Sequence, residues 1–334
     1  MLNYKTELQN RADVRFIALK EWVSGILPEI DFQITLLAGD ASFRRYFRIK
    51  TERDHFIAMD ASPLHENCQP FVLIDQILLK IDVRVPIILA KNFNLGFLLL
   101  SDFGDTQLLS VIDHQNADYF YDLAMQNLLK IQTSEAISAK FDAELYWKEF
   151  DIFFNWYLKE NLKLIISTEI ESTLKNLYQK LIDSAIAQPQ VFVHRDYHSR
   201  NLMVCEDGAL GILDFQDAVM GAITYDLVSL LKDCYIDFSR EKIKHWVRLF
   251  YDYLLQQHKI QSILFDEFLK YFDLMGLQRH IKCLGIFSRL TYRDHKSGYL
   301  KEIPRVLNYI ITVCDDYPEF LELKNFLLLS EKKK

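Results

Sequence analysis

Up to about Leu100 the apolar positions of the chain recur with the period of two expected of half-buried strands. Beyond Ala117 they recur every three or four residues, the spacing of a helix face. Ile34 to Leu37, Phe43 to Ile49, Phe56 to Met59, Ile87 to Leu89 and Gly96 to Leu100 read as strands. One helix is expected over Lys5 to Gly25. Another is expected over Pro70 to Ile81, where Phe71, Ile74, Ile77, Leu78 and Ile81 share a face. The stripe Phe120, Leu123, Ala124, Leu128, Ile131 then opens a helical region. It continues over Leu145 to Asn161, Glu169 to Ala187, Tyr225 to Cys234, Arg240 to Gln256, Ser262 to Asp294 and Ile303 to Leu329. Only Val191 to Val193, Leu202 to Val204 and Leu210 to Leu213 interrupt it as short strands. The expected class is α+β: a small sheet-rich N-lobe over residues 1–104, a short crossing, and a large helical C-lobe over residues 105–334.

Composition narrows the function classes. Half of the 334 residues are hydrophobic and a quarter are charged, as in an ordinary globular enzyme with a sizeable core. The net charge of −7, with no basic run except the terminal lysines, argues against nucleic acid as a partner. Five cysteines without a CxxC pair argue against a disulfide framework or zinc site and fit a reducing cytoplasm. The polar start of the chain is no signal peptide, and no apolar run approaches the roughly 20 residues that span a bilayer, so no membrane partner is expected.

The chemistry concentrates in His194-Arg195-Asp196-Tyr197-His198-Ser199-Arg200-Asn201 and Gly211-Ile212-Leu213-Asp214. Phosphoryl transfer from a nucleotide triphosphate needs an oriented hydroxyl, an acceptor for its proton, and cations bridging the phosphates. Asp196 is placed to accept from the attacking hydroxyl. Asn201, five residues on, and Asp214, thirteen further, offer an amide oxygen and a carboxylate to Mg²⁺. Gly208 suits the tight turn between the strands carrying them. His194 reads as a buttress of the loop rather than a proton carrier. ATP and Mg²⁺ are therefore the expected cofactors.

Upstream, Gly39-Asp40-Ala41-Ser42-Phe43-Arg44-Arg45 sits where a phosphate-covering hairpin is expected, which makes Ser42, Phe43, Arg44 and Arg45 nucleotide-binding candidates. Strand alternation puts Arg44 and Arg48 on one face and Arg45 on the other. Asp102-Phe103-Gly104 spells a metal-binding tripeptide but precedes the catalytic loop. We read Leu98 to Gly104, including Asp102, as the hinge that holds adenine by its backbone. The strand Phe56 to Ala61 has no lysine where kinases grip the phosphates. Either a hairpin arginine substitutes, or backbone and metal suffice. The usual partner carboxylate is Glu66 or Asp75.

These residues resemble the aminoglycoside phosphotransferase-like kinases, and within them the anomeric N-acetylmuramate/N-acetylglucosamine kinases of bacterial cell-wall recycling. The hairpin through Arg48, Met59-Asp60-Ala61, His194 to Asn201, Ile212 to Ala218 and Thr224 to Leu231 carry the resemblance. Arg279 to Lys282, Leu284 to Leu290 and Arg293-Asp294 complete it. The resemblance implies a protein-kinase-like two-lobe fold and ATP-dependent phosphorylation of the C1 hydroxyl of an amino sugar. It also implies a product passed to a sugar-1-phosphate nucleotidyltransferase, and a lysine-free third strand. The cations of Arg279 to Lys301, Arg289 and Arg293 among them, would attract a substrate carboxylate or form a solvated basic face. His198, Arg200 and Asp217 are further sugar-contact candidates or structural hydrogen bonders. Another hydroxyl substrate on the same fold, an aminoglycoside included, or a non-catalytic nucleotide-binding protein are the alternatives.

Overall fold

The computed structural model describes residues 13–37, 43–134 and 139–332. The turn Gly39 to Ser42, the start of the first expected helix and the last two lysines lie outside the described residues, so the Ser42 assignment has no structural counterpart here.

Among the described residues five antiparallel strands form the N-lobe sheet in the order β1-β2-β3-β5-β4: β1 Gln33–Leu36, β2 Arg44–Lys50, β3 His55–Ala61, β4 Ile88–Asn92 and β5 Phe97–Ser101. Helix α1 (Val14–Ile26), capped by the Asp13 carboxylate on the Phe16 N–H, covers one face. There Leu19 and Val23 pack on Phe47, Ile49, Ala58, Phe97 and Leu99. The other face presents Met59, Ala61, Leu98 and Leu100 to α2 (Gln69–Lys80). The period of two thus serves two separate cores, and which residue sees the cleft follows from its parity alone. A Pro in its first turn sets the start of α2, where a missing N–H costs nothing.

The second core runs without a break into the helical lobe. This lobe holds α3 (Leu108–Val111), α4 (Ala117–Ile131), α5 (Ala143–Ile152), α6 (Thr168–Ala187), α7 (Tyr225–Leu231), α8 (Arg240–Gln256), α9 (Phe265–Tyr292), α10 (Ile303–Asp316) and α11 (Leu321–Glu331). Helix α5 continues as a π-helix over Phe153–Asn161. It meets α9 at Gly285, where a Cβ would stand 2.5 Å from the Phe153 backbone nitrogen. Two small antiparallel ribbons carry the loops of interest: β6 (Gln190–Val193) with β9 (Val219–Ala222), and β7 (Leu202–Val204) with β8 (Leu210–Ile212). Strand β9 has no counterpart among the expected elements, being four small or apolar residues with an internal Gly. Gly208 makes the β7–β8 turn at φ +80°. The Arg84 guanidinium pairs with Asp207 through two bonds of 2.7–2.8 Å, tying this ribbon to the N-lobe. Among the described residues no helix is long and apolar enough to cross a membrane.

Candidate active site

Strand β6 ends at Val193, and the chain turns sharply at Arg195, whose φ is +79°. An arginine in the left-handed region costs about 1–3 kcal/mol and must be held there. Three contacts hold it. The Asp226 carboxylate of α7 accepts the N–H groups of His194 (2.6 Å) and Arg195 (3.0 Å), and the Arg195 carbonyl accepts from Arg279 Nη1 at 2.8 Å. The far end of the loop is anchored by the Asp233 carboxylate, which takes the Ser199 N–H at 3.0 Å and the Ser199 hydroxyl. His194, fully buried, faces the Leu213 carbonyl at 2.9 Å through Nε2. Burial drives its pKa down to about 4, so it is neutral at physiological pH. It is the buttress expected.

This clamp brings Asp196, Asn201 and Asp214 together. Asn201 Nδ2 donates to the Asp196 carbonyl at 2.9 Å, which leaves its amide oxygen as an acceptor, and lies 3.5 Å from Asp214 Oδ2. Asp214, exposed and at φ +63°, has its other oxygen taken by Gln216 Nε2 at 2.7 Å. One amide oxygen and one carboxylate suit Mg²⁺, which favours few protein ligands completed by water and phosphate oxygens. Among the described residues no group of three His, Cys, Asp or Glu side chains could hold a metal by itself.

Burial pushes the Asp196 carboxyl up, but Lys282, His198 and Arg279 outweigh it and hold the pKa at about 2. Of these, Lys282 and Arg279 are the residues the sequence analysis left unassigned within its basic segment. Lys282 is buried on α9 against Glu149 Oε1 (2.8 Å) and donates to the Tyr225 hydroxyl at 3.1 Å. Arg279 lies over the Tyr225 ring at 4.4 Å. Glu149, on α5, is further fixed by Gln278 at 2.8 Å. In a list of residues Glu149 is one more acidic helix position; only its burial marks it out. Asp226 had a signal, since Thr224-Tyr225-Asp226-Leu227 belongs to the resemblance, but no role was legible.

The other expected site residues divide. His198, half-buried beside Asp196, sets its ring edge-on to Tyr235 at 5.7 Å, with Nδ1 buried and unpartnered. Arg200 lies over the rings of Tyr235 (4.9 Å) and Tyr299 (5.9 Å). Asp217 is exposed three residues after Asp214, its carbonyl accepting from Arg195 Nη1 at 3.4 Å. Arg289 in the last turn of α9 and Arg293 at its C-cap follow Arg279 by ten and fourteen residues, about 15 and 21 Å by helix rise. Arg293 is paired with Asp294, and Arg289 keeps a buried, unpartnered Nε. Arg45, expected at the nucleotide, faces away from the cleft. It lies on the α1 face of the sheet, bound to Asp60 (3.0 Å) and Asp13, and holds α1 down. Phe43 is exposed and stacked on His65 at 5.0 Å. The Asp102 carboxylate is taken by Arg48 at 2.6 Å, so its side chain offers nothing to a nucleotide; Phe103 beside it packs on Gly211, where a Cβ would come within 2.5 Å of the ring.

Residues 33–255 match the model of the phosphotransferase enzyme family (APH). The chain belongs to that family. It is thus a phosphotransferase, and relatives agree over nearly its whole length. It is 42% identical over 296 residues to the N-acetylmuramate/N-acetylglucosamine kinase of Pseudomonas putida, covering 87% of this chain and 86% of that one. It is 36% identical over 327 residues to the enzyme of the same name from Pseudomonas aeruginosa, covering 94% and 96%. Among solved structures, choline kinase LicA from Streptococcus pneumoniae superposes with a TM-score of 0.61 at 14% identity, covering 88% of this chain and 98% of that one. The ADP-bound aminoglycoside phosphotransferase APH(2'')-Ib gives 0.58 at 12% identity, covering 87% and 97%. At such identities these likenesses establish the protein-kinase-like two-lobe fold.

Proposed function

We propose that this phosphotransferase moves the γ-phosphoryl group of ATP, with Mg²⁺, onto the anomeric C1 hydroxyl of N-acetylmuramate and/or N-acetylglucosamine. The observation that carries the reaction type is the clamped group Asp196, Asn201 and Asp214. The sugar is carried by relatives of that name matching 87–94% of the chain.

In this mechanism Asp196 orients the acceptor. A carboxylate held at about 2 is a weak base, so it accepts a hydrogen bond early and the proton late, as a loose phosphoryl-transfer transition state allows. An anomeric hydroxyl, more acidic than other sugar hydroxyls, suits so weak an acceptor. Asn201 and Asp214 would hold Mg²⁺, which supplies charge neutralisation at the phosphate oxygens. We assign His198, Arg200 and Asp217 to the acceptor side; the Tyr235 ring packs against the first two. The product, a sugar 1-phosphate, would serve a nucleotidyltransferase.

A panel of sugars and aminoglycosides incubated with labelled ATP and Mg²⁺ tests the reading. Transfer to N-acetylmuramate or N-acetylglucosamine, and its loss in Asp196→Asn with unchanged folding, is expected. Transfer only to aminoglycosides would overturn the sugar assignment, and an active Asp196→Asn would remove Asp196 from the mechanism.

A further inference from the structure

Strand β2 carries three arginines, and the structure sends them to three places. Arg45 crosses to the α1 face and serves Asp60 and Asp13. Arg48 reaches back to Asp102 (2.6 Å) and Asp105 (2.6 Å) at the end of β5. Arg44 faces the cleft between the lobes, where Nη2 meets the Glu66 carboxylate at 3.0 Å. Their side chains are only 12% and 18% exposed, so the pair is largely withdrawn from water.

The neighbouring strand explains why this matters. On β3 the cleft-facing positions are Ile57, Met59 and Ala61, and Met59 is fully buried. None of them carries a charge. In the β2–β3 register Tyr46 stands opposite Met59 and Arg44 opposite Ala61, so Arg44 projects from the same face one strand away. Burial works against the Arg44 charge, while Tyr46 and Glu66, and after them Asp217 and Asp214 of the helical lobe, favour it.

We propose that Arg44, oriented by Glu66, is the phosphate-gripping cation of this chain: the charge absent from β3 has moved to the adjacent strand, with Glu66 rather than Asp75 as its partner. The inference rests on the nucleotide-dependent reading above. A guanidinium fork there can hold two phosphate oxygens in a fixed planar geometry, where a lysine would act as a point charge. Glu66 is the carboxylate that meets Arg44, whereas Asp75 is buried on α2 with Oδ1 unpartnered, and burial raises its pKa to about 7.

Calorimetric titration of the full chain with ADP and, separately, with adenosine tests this without reference to turnover. Arg44→Gln should weaken ADP by about tenfold or more and leave adenosine unchanged, because only ADP has phosphates to lose. Glu66→Gln should move ADP the same way by less, and Arg44→Lys should recover part of the loss. Arg45→Gln should leave ADP affinity as it was. Wild-type ADP affinity in Arg44→Gln, or an equal loss of ADP and adenosine, would overturn the proposal. A wild-type chain that binds no ADP would instead defeat the nucleotide-dependent reading itself.

Discussion

Replacing Asp226 by Asn removes one charge and no volume, and it tests how the catalytic loop is held. The Asp226 carboxylate accepts two backbone N–H groups, one on each oxygen, at 2.6 and 3.0 Å. Burial outweighs the pull of those bonds and leaves its pKa raised to about 7. Since both oxygens already face donors, the ionised form is the one that fits. An Asn keeps one acceptor and turns its NH₂ toward the second N–H, donor against donor. A hydrogen bond to a charged acceptor contributes about 1.5–3 kcal/mol, and a stranded buried N–H costs about 1–3 kcal/mol. These overlap, so a loss of about 3 kcal/mol is expected, a large part of a typical 5–15 kcal/mol. The local effect is sharper. Without the clamp, Arg195 can leave its φ of +79°, and Asp196 moves with it. A displacement of about 1 Å at a reacting group costs on the order of 100-fold in rate. Denaturant unfolding should give a lower midpoint with unchanged slope, and kcat should fall about 100-fold. ADP affinity should hold. Wild-type stability and turnover in the Asp226→Asn variant would refute the clamp.

Three further outcomes follow from the same geometry. Because Asp196 is held at about 2, its carboxylate stays ionised across the working range, and kcat/KM should show no acid limb from it until pH falls toward that value. Lys282→Gln removes the leading cation, raises the Asp196 pKa and should move the limb to higher pH; an unmoved limb would count against the electrostatic account. Gly285→Ala drives a methyl into the Phe153 backbone, which cannot yield as a side chain can. It should destabilise by about 1–3 kcal/mol, read as a lower Tm, and an unshifted Tm would mean that the helices do not cross this closely. Asp214→Asn should abolish Mg²⁺-dependent transfer while ADP without metal still binds; Mg²⁺-dependent turnover at the wild-type rate would exclude Asp214 as a ligand.

The catalytic loop was legible because phosphoryl transfer demands particular side chains at a particular spacing, and the strands on either side leave the loop one place to emerge. What surrounds the loop was not. Alternation separated Arg45 from Arg44 and Arg48, yet which face meets the cleft depends on where α1 lands. Glu149 and Lys282 belong to helices distant in sequence and become a pair only when α5 and α9 cross. The π-helical turn over Phe153–Asn161 had no residue signal of its own; it lies where Gly285 admits the partner backbone.

The central claim concerns which oxygen receives the phosphoryl group. Carbon and phosphorus NMR of the product formed from N-acetylmuramate, ATP and Mg²⁺ reads that oxygen directly. The account predicts an anomeric carbon split by coupling to phosphorus. A product with an uncoupled anomeric carbon and phosphorus on another hydroxyl would contradict it.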